Sequence, residues 1–209
     1  MNIRRTLLFA LALAALLVLL WWRHGPGDDA PLLTLSPSPR GGDFVLENRN
    51  GPVALTRFRG KVVVLYFGYT FCPDVCPAAL MTLSQALAAL DEAQQRQVQG
   101  LFVSVDPARD SGERLESYVG YFSPLLLGAS GSREEIDRVT RRYGAGYRLG
   151  EANERGEYAV DHTSEIYIID GTGRLAAVAP HGVTVIALTE MIAQHLQHSD
   201  TISLHNELE

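Results

Sequence analysis

The sequence predicts an α/β fold: a mixed β-sheet flanked by helices, with an added N-terminal β-hairpin and one N-terminal transmembrane helix ahead of it. Three observations carry the prediction for the folded part. The runs Val62-Val63-Val64-Leu65-Tyr66-Phe67 and Gly100-Leu101-Phe102-Val103-Ser104-Val105 are mostly β-branched, aliphatic or aromatic, as expected of strands buried on both faces. Between them Leu80, Leu83, Leu87 and Leu90 recur at helical spacing, so strand, helix and strand form a parallel crossover. Near the C-terminus residues 164–170 alternate as a strand, Gly171-Thr172-Gly173 turns, and residues 174–179 return antiparallel.

Taken in order, Asp43-Phe44-Val45-Leu46, the turn Asn50-Gly51 and Val53-Ala54-Leu55 predict the opening hairpin, because Asn-Gly supplies the positive φ that tight hairpins need. The central strand over 62–67 runs into a cysteine-bearing turn. Pro73 there suits the first position of a helix, and the leucine face extends that helix to about Gln97. The second strand closes at Asp106-Pro107, and a helix is expected over 110–122, then a short strand over 125–127. Ser132 with Glu135 three residues on is a capping box, opening a helix to Tyr143 that Gly144 ends. Residues 144–157 read as a surface loop or small hairpin. The last helix is expected over 183–196, with Ile186, Met191 and Ile192 among its apolar positions. Parallel crossovers, helices on both faces and a terminal hairpin add up to a thioredoxin-like layout.

The N-terminus is a separate matter. Residues 7–22 are apolar without interruption, flanked by Arg4 and Arg5 on one side and Arg23 on the other. The run lies between a signal-peptide core and a membrane span in length. Its small-residue cluster, Ala12 to Ala15, sits mid-run and its far end is Trp21-Trp22, which suits an interfacial anchor better than a cleavage site. Residues 1–23 are therefore expected to form an uncleaved membrane anchor and the Pro- and Gly-rich stretch 24–41 a flexible linker. Residues 42–198 then form the folded domain and 199–209 a C-terminal tail. The excess of arginine before the span places the domain across the membrane from the cytoplasm. In a bacterium that is a single-pass protein of the inner membrane with a periplasmic domain. The chain carries a formal net charge of −6 despite its basic N-terminus, and an acidic domain argues against nucleic acid as a partner.

Only two cysteines are present, in Gly68-Tyr69-Thr70-Phe71-Cys72-Pro73-Asp74-Val75-Cys76-Pro77. They sit one residue further apart than the Cys-x-x-Cys of disulfide-exchanging proteins. A bridge closing so short a loop constrains the unfolded chain little, so a structural staple explains the pair poorly. Redox chemistry and metal binding both remain. A copper or zinc site needs further ligands. His24 lies in the linker, His181 in a Pro-His-Gly turn, and His195, His198 and His205 in the last helix or tail. His162, in Val160-Asp161-His162-Thr163-Ser164, directly precedes a core strand expected to fix its position, and is the candidate third ligand. On spacing alone it is equally an exposed loop histidine. Asp74 is either a charge that attracts a cation or a solvated acid at a helix start. Two soft thiolates and an imidazole suit Cu(I), and hold Cu(II) with one more ligand, whereas zinc wants a fourth.

The cysteine run, with Ser104-Val105-Asp106-Pro107-Ala108-Arg109-Asp110, Tyr158-Ala159-Val160-Asp161-His162-Thr163, Gly60-Lys61 and Tyr167-Ile168-Ile169-Asp170, resembles the Sco/SenC copper proteins that assist assembly of cytochrome c oxidase. The resemblance covers residues 43–196. It implies a thioredoxin-like domain on one membrane helix that binds copper through Cys72, Cys76 and His162. The implied partners are oxidase subunit II, a periplasmic copper donor and a thiol reductant. It also implies an alternative, in which Cys72 and Cys76 reduce the cysteines of subunit II as a thiol-disulfide reductase. A peroxidase-like activity is a third reading. Gly171 departs from the proline common in the family. Asp161-His162-Thr163 stands where redox thioredoxins keep a cis-proline, which favours metal binding over general disulfide exchange.

Overall fold

The computed structural model describes residues 41–110 and 112–206, together with Ala14. The chain divides into two compact units, residues 1–36 and 37–209, and the second holds every element described below. The expected membrane anchor and linker fall outside the described residues, except for Ala14, which is helical, and Gly41. Among the described residues no helix is long and apolar enough to cross a membrane.

The chain enters through β1 (Val45–Asn48) and β2 (Gly51–Ala54), a 3-10 turn over Leu55–Phe58, and β3 (Val62–Gly68). Then come α1 (Val75–Ala88), α2 (Glu92–Arg96), β4 (Val98–Ser104), α3 (Gly112–Phe122), β5 (Leu126–Ala129) and α4 (Arg133–Tyr143). Two short strands, β6 (Tyr147–Leu149) and β7 (Val160–His162), precede β8 (Ile166–Ile169), β9 (Leu175–Ala179) and α5 (Val185–Asn206). The central sheet has the order β5-β4-β3-β8-β9. β5, β4 and β3 run parallel, β8 pairs antiparallel to β3 and β9 antiparallel to β8, the mixed thioredoxin-like arrangement.

All seven residues of β3 are buried, so the strand is covered on both sides, as its unbroken apolar run requires. Successive side chains take opposite faces. Tyr66 stacks on Phe102, which meets Tyr118 of α3, on one face. Phe67 meets Tyr143 of α4 and Tyr167 on the other. Helices α1 and α5 pack on each other and against the sheet. The β1–β2 hairpin docks on the sheet edge, Glu47 and Ser130 exchanging both backbone hydrogen bonds at 2.7 and 2.9 Å.

Two helix ends and the placement of His162 differ from expectation. The helix expected to reach Gln97 stops at Ala88, and α2 starts afresh behind Asp91, whose side chain forms a capping box with Gln94. A strong N-cap inside a helical pattern opens a new helix. The last helix continues to Asn206, past Leu196, because no Gly or Pro follows Gly182 to stop it. His162 is not fixed by the main sheet: it ends β7, which pairs only with β6 in a separate two-stranded ladder. A polar, Gly-rich stretch carries little alternation from which to read such a ladder.

Candidate metal centre

Cys72 and Cys76 follow the carboxyl end of β3, and the loop beginning at Val105 leaves the neighbouring end of β4. Ligand sites in open parallel sheets collect at such strand ends. Helix α1 begins at Val75 rather than at Pro73, with Asp74 as its N-cap, but the Asp74 side chain makes no capping bond. Instead the backbone N–H of Cys76, in the first turn, points at Cys72 Sγ, 3.4 Å away. The four-residue spacing thereby sets one sulfur over the positive end of the helix and the other on its first turn. Cys76 is fully buried, whereas Cys72 keeps 8% of its surface exposed.

His162 reaches this pair from β7. Its Nε2 lies 3.3 Å from Cys76 Sγ, and its Nδ1 lies 2.9 Å from the carbonyl oxygen of Thr163. A carbonyl only accepts, so Nδ1 carries the hydrogen and Nε2 presents its lone pair to the sulfurs, the tautomer a metal ligand needs. One ligand atom each from Cys72, Cys76 and His162 lie within 4.8 Å of one another, and no other such group is found among the described residues. Bonds of about 2.0–2.3 Å to an ion call for ligand atoms about 3.5–4 Å apart in a trigonal plane. The three side chains fit with little movement. Tyr66 and Tyr69 wall the imidazole edge-on, with ring centroids at 6.2 and 5.7 Å. Asp74 and His181 are exposed and outside the cluster, and the half-buried His195 is outside it as well. His24 and the side chains of His198 and His205 lie outside the described residues.

Gly68 makes room for the second sulfur. A Cβ there would lie 2.7 Å from Cys76 Sγ and 2.9 Å from the Phe102 ring, closer than side-chain atoms approach. Gly68→Ala is expected to cost about 1–3 kcal/mol of stability and to displace Cys76, weakening metal binding. Parallel denaturation and metal titrations of the variant check this, and unchanged binding contradicts it.

Burial pushes the Cys76 thiol well above its ordinary value, with the neighbouring Cys72 adding in the same direction. The metal-free chain therefore keeps Cys76 protonated, free to donate S–H to Nε2. An unfolded thiol ionises near its ordinary value of 9.0 while the folded one does not, so stability is intact below that pH and falls above it. Denaturant midpoints at pH 8 and 10 are expected to drop more for the wild-type chain than for Cys76→Ala. Equal drops refute the assignment. The Tyr66 hydroxyl, buried beside Cys76, lacks a hydrogen-bond partner of ordinary geometry.

The sequence places Asp106-Pro107 at the end of a strand and Asp110 at the start of a helix, both within the motif that carries the resemblance, and gives neither carboxylate a partner. Both acids are buried. Asp110 accepts from the Thr70 hydroxyl at 2.6 Å, the Thr70 N–H at 2.9 Å and the Ser104 hydroxyl at 2.5 Å, which pins the loop leading into Cys72. Asp106 accepts from Arg109 at 2.5 Å and from the Tyr158 hydroxyl at 2.7 Å. Two acids and an arginine within five positions after a buried strand were the available signal.

The family model described as SCO1/SenC matches residues 34–197. The bovine protein "SCO2 homolog, mitochondrial" is 38% identical over 157 residues, 74% of this chain and 59% of the relative. The human "SCO1 homolog, mitochondrial" is 39% identical over 135 residues, 64% of this chain and 45% of the relative. The chain thus spans less than two thirds of the length of these relatives. Among solved structures, the copper-bound ScoI of Arabidopsis thaliana superposes with a TM-score of 0.70 at 34% identity, covering 76% of this chain and 98% of that one. The copper-bound ScoI of Bradyrhizobium japonicum gives 0.68 at 34% identity, covering 75% and 99%.

Proposed function

The chain belongs to the SCO1/SenC family, and on that premise we propose that it is a copper metallochaperone that holds copper on Cys72, Cys76 and His162. The observation that carries the reading is the convergence of two sulfurs and a lone-pair-bearing Nε2 within 4.8 Å, a soft donor set that suits Cu(I) and accepts Cu(II) with one added ligand. Copper-bound relatives of the same fold support copper over zinc. The ion is cargo, to be passed to the binuclear copper centre of cytochrome c oxidase subunit II. A periplasmic donor loads the site and a thiol reductant keeps the pair reduced. Residues 1–23 tether the chain to the bacterial inner membrane with the domain in the periplasm.

The test is a competition titration of the full-length, reduced chain with copper. One ion per chain is expected, with His162→Ala weakening binding at least about tenfold and His181→Ala leaving it unchanged. Equal effects of the two substitutions refute the reading. A second reading, thiol-disulfide exchange on the cysteines of subunit II, is favoured by the unequal exposure of the pair. Cys72 is the reachable attacking sulfur, and Cys76 the buried one that resolves the mixed disulfide. In that role His162→Ala leaves reduction of an oxidised peptide substrate intact and Cys72→Ser abolishes it.

A further inference from the structure

Because β7 belongs to a ladder separate from the main sheet, side chains must hold His162 against the sulfurs. The end of the β6–β7 hairpin that bears His162 is tied to α4, where the hydroxyl of Tyr147, the register partner of His162, donates to Asp137 Oδ1 at 2.5 Å. The chain entering β7 from the loop side, at Tyr158 four residues before the ligand, is held by Arg109. Its guanidinium carbon stands 3.6 Å from the centre of the Tyr158 ring, its Nη1 donates to the Tyr158 carbonyl at 2.8 Å, and its Nε donates to Asp106. The second Asp106 oxygen accepts the Tyr158 hydroxyl, closing a ring of contacts around a fully buried carboxylate.

The same guanidinium lies 4.9 Å from the Phe71 ring and 5.5 Å from the Tyr69 ring, the residues just before Cys72. Tyr69 in turn accepts the Val160 N–H through its hydroxyl. The planar guanidinium, with its forked donors, serves the two segments at once, as a lysine ammonium cannot.

We infer that Arg109 latches the hairpin that carries His162 to the loop that carries Cys72, as a positioning residue for the histidine ligand. Resting on the copper-binding reading, the latch has a use in hand-off. When it opens, His162 leaves with the hairpin and the ion stays on two thiolates, with a coordination position free for an acceptor's ligand.

Two measurements on the full-length chain test this. In the metal-free chain, amide hydrogen exchange over residues 158–163 is expected to quicken about tenfold or more in Arg109→Gln, with α1 unchanged. Arg148→Gln, which breaks only the exposed Arg148–Asp161 pair on the same hairpin, leaves it unchanged. Should Arg109→Gln loosen the whole fold, Tyr158→Leu, which removes the stacked ring and its hydroxyl, gives the same reading. In copper titrations Arg109→Gln is expected to weaken binding about as much as His162→Ala, and to add less than about twofold when His162 is already alanine. Unchanged exchange at 158–163, or fully additive losses, overturns the latch. If His162→Ala itself binds as the wild type does, the copper reading fails, while the exchange measurement still decides whether the latch exists.

Discussion

Replacing Cys76 with alanine is expected to lower copper affinity at least about a hundredfold while leaving the chain folded. Residues that merely support a ligand already cost about 10–100-fold in metal affinity, and Cys76 supplies a sulfur itself. Its sulfur is fully buried, 3.3 Å from His162 Nε2, and alanine offers no soft donor in its place. The void left by one sulfur is small, so the loss of stability stays within about 1–2 kcal/mol. Competition titration with a chromophoric Cu(I) chelator, beside a thermal melt, separates the two effects. Near-wild-type affinity in a folded variant contradicts the assignment.

Asp110→Ala is expected to have the largest effect on stability. The carboxylate gathers the Thr70 N–H, the Thr70 hydroxyl and the Ser104 hydroxyl. The hydroxyls can rotate toward other acceptors, but the amide cannot. Leaving these donors without their acceptor costs about 2–4 kcal/mol, which lowers the melting temperature by about 5–15 °C in a chain of this size. Since Thr70 lies two residues before Cys72, copper affinity falls as well. Asp110→Asn keeps one carbonyl acceptor and is expected to fall between. A melting temperature within about 2 °C of wild type for Asp110→Ala contradicts the role given to this acid.

The elements legible in the sequence were those with strong local periodicity or a cap. The apolar run of β3 and the Ser132/Glu135 box stand where local chemistry put them. The opening hairpin forms with its turn one residue earlier than expected, over Arg49-Asn50, Gly51 supplying the positive φ as the first residue of β2. The break at Ala89 was missed because the leucine face continues to Leu90, although Asp91 and Gln94 had announced a second cap. At the site, the spacing of the cysteines was readable, but the ladder that carries His162 was not. It is made by a pairing across the ten loop residues 150–159, and the anchoring by Arg109, Asp106 and Tyr158 joins positions about fifty apart. Such contacts leave no trace in local pattern, and the clue was the dense charge in Asp106-Pro107-Ala108-Arg109-Asp110.

The central claim is that Cys72, Cys76 and His162 together hold one copper ion, and ligand identification by X-ray absorption and paramagnetic resonance tests it most directly. The copper-loaded, full-length chain is expected to show two sulfurs and at least one imidazole nitrogen at the metal, and His162→Ala to lose that nitrogen while keeping both sulfurs. A spectrum without sulfur, or an imidazole nitrogen that persists in the His162 variant, contradicts the account.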